Sequence, residues 1–412
     1  MTSSPWSGVR TRRSDLDVRR SRKAARSVNA VLAAVLDRGP VARSNVARLT
    51  GLSPASVSMA GAQLIGAGLL REAPEAADPP GIGRPHVPLE IDTERIAVVG
   101  AHIAVGSIRV GLLDLRGRVI AQRRLRHRDG SPQAILGDIA ALTRELVAGH
   151  GDRRVLGLGV ATGGWVDPGA GVVVEHARLG WRDVPVASRL ATSTGMAVGV
   201  DSHARALLCA ERWLGSHPER VRASVVHLFV GGVVDVAFGV RGRVQQGPRS
   251  AAGTVSHLPV EGSTATCPCG RVGCLEATVS SGAVAEEAHR RGLIASPAYD
   301  DLMAAADRGD PEIAAMLRAR ARQVGRASAV LLDLFDPDIL MVTARGLAER
   351  HDCMDQLRAE VARRSLTRAD PGVSVAGSSF PRSYLLVAGG AVVLERVLAA
   401  PLRVSAAVPR AS

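Results

Sequence analysis

Three of the five cysteines stand together in Cys267-Pro268-Cys269-Gly270-Arg271-Val272-Gly273-Cys274. The small residues of this C-x-C-x4-C run let the chain fold around one tetrahedral ion. Three thiolates need a fourth donor, and His257, ten residues before Cys267, is the nearest plausible one. His257, Cys267, Cys269 and Cys274 are therefore the expected zinc ligands. A closed Cys3His site leaves no position for water, so the expected zinc is structural and fixes the loop that carries His257. The odd cysteine count argues against a disulfide framework.

A second chemistry is suggested by charge. The formal net charge is +13, carried almost wholly by arginine, with Lys23 the single lysine. Gly-Lys-Ser/Thr is absent, which excludes a P-loop. Arg10, Arg12, Arg13, Arg19, Arg20, Arg22, Lys23 and Arg26 precede residue 27, opposed only by Asp15 and Asp17. A flexible basic arm over residues 1–26 would neutralise phosphates by releasing counterions. No run approaches the ~18 apolar residues of a membrane span, and the polar N-terminus has no apolar secretory region. The expected location is cytoplasmic, with no membrane partner.

At 412 residues the chain fits two or three domains. Residues 27–92 carry the order of a DNA reader. Val28–Asp37 has apolar residues at helical spacing, and Gly39-Pro40 stops it. A short helix over Arg43–Leu49 turns Val46 and Leu49 inward. After Thr50-Gly51-Leu52, Ser53-Pro54 supplies an N-cap and first helical residue for a third helix reaching Ile65. Val57, Ala60, Leu64 and Ile65 face its core, leaving Ala55, Ser56, Ser58 and Met59 outward. Strand-like segments at Gly68–Glu72 and His86–Asp92 flank a wing loop, Gly81-Ile82-Gly83-Arg84-Pro85. Its glycines let backbone lie close to DNA, and Arg84 suits a narrow minor groove. The expected DNA contacts are Arg43, Ser53, Ser56, Ser58, Gly83 and Arg84 of a winged helix-turn-helix.

From residue 93 the pattern becomes α/β. Ile96–Ile103, Ser107–Asp114 and Val119–Arg124 read as a β-meander, Pro132–Ala148 as a helix, Val155–Ala161 as a strand and Val184–Thr194 as a helix. Val225–Val230, Val233–Val240 and Arg243–Gln246 read as a second meander. A meander with helices that occurs twice predicts two related lobes with a cleft between them, and ligand sites favour such clefts.

These residues resemble the ROK family of repressors, open reading frames and sugar kinases. The resemblance runs from about residue 26 to about residue 400. It is carried by Thr50-Gly51-Leu52-Ser53, Gly83-Arg84-Pro85, Gly180-Trp181-Arg182-Asp183-Val184-Pro185 and the segment from His257 to Glu276. It implies two actin-like (ribonuclease H-like) lobes over residues 93–412, commonly a homodimer or dimer of dimers, with a sugar between the lobes.

The sequence departs from the family's kinases at three places. Their Asp-x-Gly-Gly-Thr phosphate loop stands here as His102-Ile103-Ala104-Val105-Gly106-Ser107. Their second Gly-rich loop is Gly231-Gly232-Val233-Val234-Asp235, with Val and Asp where backbone should approach phosphate. Their catalytic Asp, which accepts the sugar hydroxyl proton, aligns with His203. The resemblance therefore implies no ATP-dependent kinase. Its sugar-binding Glu-x-Gly-His stands as Thr254-Val255-Ser256-His257. The implied ligand contacts are Ser202, His203, Thr254, His257 and Glu276, for a carbohydrate or related effector. The expectation is a transcriptional regulator, a repressor on double-stranded operator DNA. The rivals are a kinase with an appended DNA-binding domain and a repressor that responds to no ligand.

Overall fold

The computed structural model describes residues 15–74, 87–127, 129–366, 370 and 374–402, with side chains from residue 24 onward. The expected wing loop with Gly83 and Arg84 lies outside the described residues, as do residues 1–14 of the expected arm. The chain divides into two compact units, one reaching Asp92 and including the chain from Val397, the other Thr93–Arg396. This differs from the expected 93–412 domain, because within the first unit Asn29 Nδ2 donates to the Ala399 carbonyl, 2.8 Å away.

The first unit holds α1 (Asp15–Arg38), α2 (Arg43–Thr50), α3 (Pro54–Gly66), β1 (Leu70–Glu72) and β2 (Leu89–Ile91). The flexible arm is corrected here, since α1 begins twelve residues before residue 27. Asp15 and Asp17 favour the positive end of the helix dipole, and no Gly or Pro stands between Asp15 and Gly39. Val28, Val31, Leu32 and Val35 form one buried stripe, and α1 packs on α2 and α3, whose Val46, Val57 and Leu64 are also buried. Leu49 is also corrected: it is 48% exposed, because so short a helix needs only Val46 to seat it. Gly51 closes α2 in the left-handed conformation, φ 67°. β1 and β2 pair antiparallel with Leu70 opposite Ile91.

The second unit repeats one topology twice. In the first lobe β3 (Ile96–Ile103), β4 (Ser107–Leu113) and β5 (Val119–Arg126) make an antiparallel meander. After α4 (Pro132–Ala148), β6 (Arg154–Thr162) returns parallel to β3. A small antiparallel sheet of β7 (Trp165–Asp167), β8 (Val172–His176) and β9 (Trp181–Val184) precedes α5 (Val186–Thr194). The helix expected from Val184 thus starts two residues later, because Val184 pairs with Val173 and Pro185 bounds the strand. β10 (Val198–Ser202) then joins β6, giving the order β10-β6-β3-β4-β5.

Helices α6 (His203–Leu214) and α7 (Pro218–Ala223) lead into the second lobe. Its meander is β11 (Ser224–Val230), β12 (Val234–Val240) and β13 (Arg243–Val244). Helices α8 (Leu275–Val279), α9 (Ser281–Arg290), α10 (Tyr299–Asp307) and α11 (Pro311–Phe335) follow. Then come β14 (Ile339–Thr343), α12 (His351–Arg364), β15 (Val375–Gly377) and α13 (Tyr384–Ala399). The order β13-β12-β11-β14-β15 is that of the first lobe, third strand to fifth, with the same mixture of antiparallel and parallel pairs.

Glycines bring α13 onto the first lobe's sheet. A Cβ on Gly100 would lie 2.5 Å from the Leu386 carbonyl and 2.6 Å from the Gly390 amide, and one on Gly159 would strike the Gly389 carbonyl. Backbone therefore touches backbone along this seam. No helix of the described residues is long and apolar enough to cross a membrane.

Candidate functional site

The cysteine segment folds into a tight hairpin. Cys267 N–H donates to the Arg271 carbonyl at 2.8 Å and Val260 N–H to the Gly273 carbonyl at 2.7 Å. Gly270 and Gly273 sit at φ 84° and 77°, where a side chain would strain the turn. The result gathers His257, Cys267, Cys269 and Cys274, whose donor atoms all lie within 4.8 Å of one another. Cys269 Sγ is 3.7 Å from Cys274 Sγ, and Cys267 Sγ is 3.6 Å from His257 Nδ1. A tetrahedral ion with bonds of ~2.3 Å to sulfur and ~2.1 Å to nitrogen has edges of about 3.8 and 3.6 Å. The donor set therefore fits a metal ion. Arg271 Nε, 3.4 Å from Cys269 Sγ, favours the thiolate and draws that thiol below its ordinary range.

Two residues beyond Cys274, Glu276 Oε2 accepts the Val234 N–H at 3.0 Å. Gly231 N–H is used by the Val233 carbonyl at 2.9 Å, and the Gly231 carbonyl accepts from Ser281 N–H at 2.7 Å. Two amides of the loop after β11 are thus spent inside the protein. The Val233 side chain fills the space beside Gly163 of the other lobe, where an added Cβ would meet it at 2.8 Å.

His203, first residue of α6, is buried and stacks on His102 of β3 with ring centroids 4.6 Å apart and planes at 23°. The same ring also lies against Phe229 of β11, tilted by 34° with centroids 4.6 Å apart. Burial drives His102 down to about 3 and His203 well below the ordinary histidine value, so both rings are neutral. Ser202 is buried and caps α6, its Oγ accepting from Arg205 N–H at 3.5 Å. Ser202 is occupied by that cap, whereas both ring nitrogens of buried His102 and His203 lack a hydrogen-bond partner among the described residues. Thr254 is exposed, its hydroxyl donating to the Ala251 carbonyl at 3.0 Å. Glu276 lies within electrostatic reach of Arg178 and His257, and burial raises its carboxyl.

Arg205 and Arg320 are the polar hubs that periodicity did not reveal. Buried Arg205 donates to Asp201 Oδ1 at 2.6 Å, the Val166 carbonyl at 2.8 Å and the Ser250 carbonyl at 3.0 Å. Buried Arg320 donates to the Val279 carbonyl at 2.7 Å and Tyr299 Oη at 2.6 Å. Three tryptophans border the same lobes. Trp181 is buried and donates to the Gly130 carbonyl, Trp165 is 37% exposed and donates to the Arg249 carbonyl, and Trp213 donates to Glu395.

In the first unit Ser53 caps α3, accepting from Ser56 N–H at 3.3 Å, and the two hydroxyls meet at 2.9 Å. Ser58 and Met59 are exposed on the same helix, Met59 by 58%. Arg43 is paired with Glu72 at 2.6 Å and donates to the Val87 carbonyl at 3.2 Å, so it braces α2 against the hairpin segment.

Residues 98–378 match the ROK family. This chain belongs to that family. As a ROK protein it is 34% identical over 385 residues to a Mycobacterium tuberculosis protein named a transcriptional regulator, covering 90% of this chain and 86% of the relative. It is 22% identical over 386 residues to the xylose repressor of Caldicellulosiruptor bescii, covering 90% of this chain and 96% of that protein. Among solved structures, a ROK family transcriptional regulator described as a homologue of the Escherichia coli Mlc protein superposes with a TM-score of 0.73 at 21% identity, covering 93% of this chain and 98% of that one. That likeness establishes the ROK actin-like α/β fold.

Proposed function

We infer that this ROK protein is a DNA-binding transcriptional regulator of repressor type whose second unit carries no kinase chemistry. The observation that carries the reading is the 34% identity, over 90% of the chain, to a protein named a transcriptional regulator. The first unit supports it as a winged helix-turn-helix: α2, the Gly51 turn and α3 are followed by the β1–β2 pair that flanks the wing segment. In this reading α3 enters a major groove with Ser58 and Met59 foremost, and Arg84 of the wing reaches the minor groove. Ser53 and Ser56 hold the helix start and approach phosphate through it, and Arg43 orients α2.

Zinc held by His257, Cys267, Cys269 and Cys274 supplies rigidity and no reaction. The histidine-lined region between the lobes, with Thr254 and Glu276 beside it, takes a carbohydrate-like effector. A ligand that favours one state of the second unit changes operator affinity by the corresponding coupling free energy. A homodimer matches the paired half-sites of such operators. The test is fluorescence anisotropy of zinc-replete protein on its own upstream DNA and a scrambled duplex, over a salt series and a sugar panel. Sequence-dependent binding, weakened by roughly tenfold or more in Ser58→Asp through added phosphate repulsion, is expected. Equal binding to both duplexes, lost steeply with salt, would defeat the reading, and sugar phosphate formed from ATP would restore a kinase.

A further inference from the structure

A row of side chains crosses the first lobe's sheet on one face. His102 on β3 stands opposite Arg109 on β4, and Arg109 stands opposite Arg124 on β5. Directly opposed residues of antiparallel strands point to the same side, so the two guanidiniums are forced together, and like charges so placed repel. From the second lobe Arg345, in the turn after β14, joins them. Arg345 and Arg124 share one carboxylate, Asp300 of α10, at 2.5 Å and 3.2 Å. Arg109 has no hydrogen bond or ion pair among the described residues. It is half-buried, beside the Tyr384 end of α13, and its proton affinity is lowered by burial and by Arg124 and Arg345. Glu349, also within reach of Arg345, is engaged by the Gly346 N–H at 2.8 Å. Three arginines thus face two acids, Asp300 and the amide-bound Glu349, and the remaining positive charge opens to solvent, with the Arg124, Arg345 and Asp300 side chains between 41% and 44% exposed.

We propose that Arg109, Arg124 and Arg345 form an anion site between the lobes that binds a phosphomonoester group. Two forked guanidiniums and a third across the cleft match the three acceptor oxygens of a terminal phosphate, which Arg prefers to hold through paired N–H donors. Phosphate would satisfy Arg109 and relieve the repulsion within the row. The site adjoins the histidine-lined region through His102, is separate from the cysteine hairpin, and is independent of whether the first unit binds DNA.

The test is isothermal titration of the full-length, zinc-replete protein with inorganic phosphate, glucose 6-phosphate and AMP. Glucose and sodium chloride at matched ionic strength serve as controls. Saturable binding of at least one phosphorylated probe, absent with glucose, is expected. Arg109→Gln should weaken it by roughly tenfold or more, the loss of a charge-assisted pair, while Asp300→Asn should strengthen it by removing the competing acid. Binding by inorganic phosphate alone would identify the free ion as the ligand; tighter binding of glucose 6-phosphate or AMP would identify the organic group attached to it. No saturable binding, or equal affinity in wild type, Arg109→Gln and Asp300→Asn, would overturn the proposal. Far-ultraviolet circular dichroism of both variants separates lost binding from lost folding.

Discussion

At the scale of single residues, the most consequential groups are histidines that stay neutral. His102 and His227 lie near 3 and His176 near 4, all lowered first by burial. An unfolded chain protonates these rings near pH 6.5, whereas the folded chain does not. Stability is therefore full above about pH 6.5 and is lost as pH falls toward 4, by up to about 1.4 kcal/mol per pH unit for each ring. Asp235, pushed up to about 6 by burial, works in the opposite direction because the folded state gains its proton first. Urea unfolding at pH 6.5 and 4.5 should show wild type losing about 2 kcal/mol more than His102→Asn. An unchanged difference between the two proteins would show that His102 protonates in the folded state. The gathering of His257 with the three cysteines was legible because C-x-C-x4-C and one nearby His specify a geometry by themselves. Arg109 and Arg205 were not, because their meaning depends on which strand lies opposite and which carbonyls approach.

At the scale of elements, strands and helices with their own periodicity could be read in advance, among them the two meanders, α4 and α3 with its Ser53 cap. The β7–β9 sheet could not, since three- to five-residue strands leave too little alternation to see. Leu49 misled because apolar spacing on an eight-residue helix does not show how wide the buried face is. The seam between α13 and the first lobe rests on the absence of side chains, a feature that hydrophobic patterning ignores. Gly389→Val should cost about 3 kcal/mol or more, since a Cβ there would lie 2.5 Å from the Ala101 carbonyl oxygen and 2.6 Å from its amide nitrogen, backbone that cannot move aside. Its urea midpoint checks this, and a near-wild-type midpoint would mean that the helix can lift from the sheet.

At the scale of the whole molecule, the cysteine hairpin and the cleft are one connected structure. Cys274 leads within two residues to Glu276, and Glu276 holds Val234 at the start of β12. Chelation, or Cys274→Ser, should release the metal, lower the melting temperature by roughly 4 °C or more, and open residues 256–276 to protease. Metal content by mass spectrometry and limited proteolysis measure both. Full loss of metal with unchanged melting and digestion would show a hairpin that stands without it. The doubled lobe topology was foreseeable from the repeated meander alone. The placement of α8 to α12 within the second lobe was not, because a helix's periodicity marks its buried face and not the element it packs on.

Aromatic residues make up only 2% of the chain, and tryptophan occurs four times. Trp165, Trp181 and Trp213 all belong to the second unit, while Trp6 lies outside the described residues. A Trp6→Phe protein would therefore emit from the second unit alone, with half-open Trp165 tethered to the 249–250 loop that also anchors Arg205. Ligand capture between the lobes becomes readable as a change in intrinsic fluorescence, even on DNA, with no dye attached to the protein.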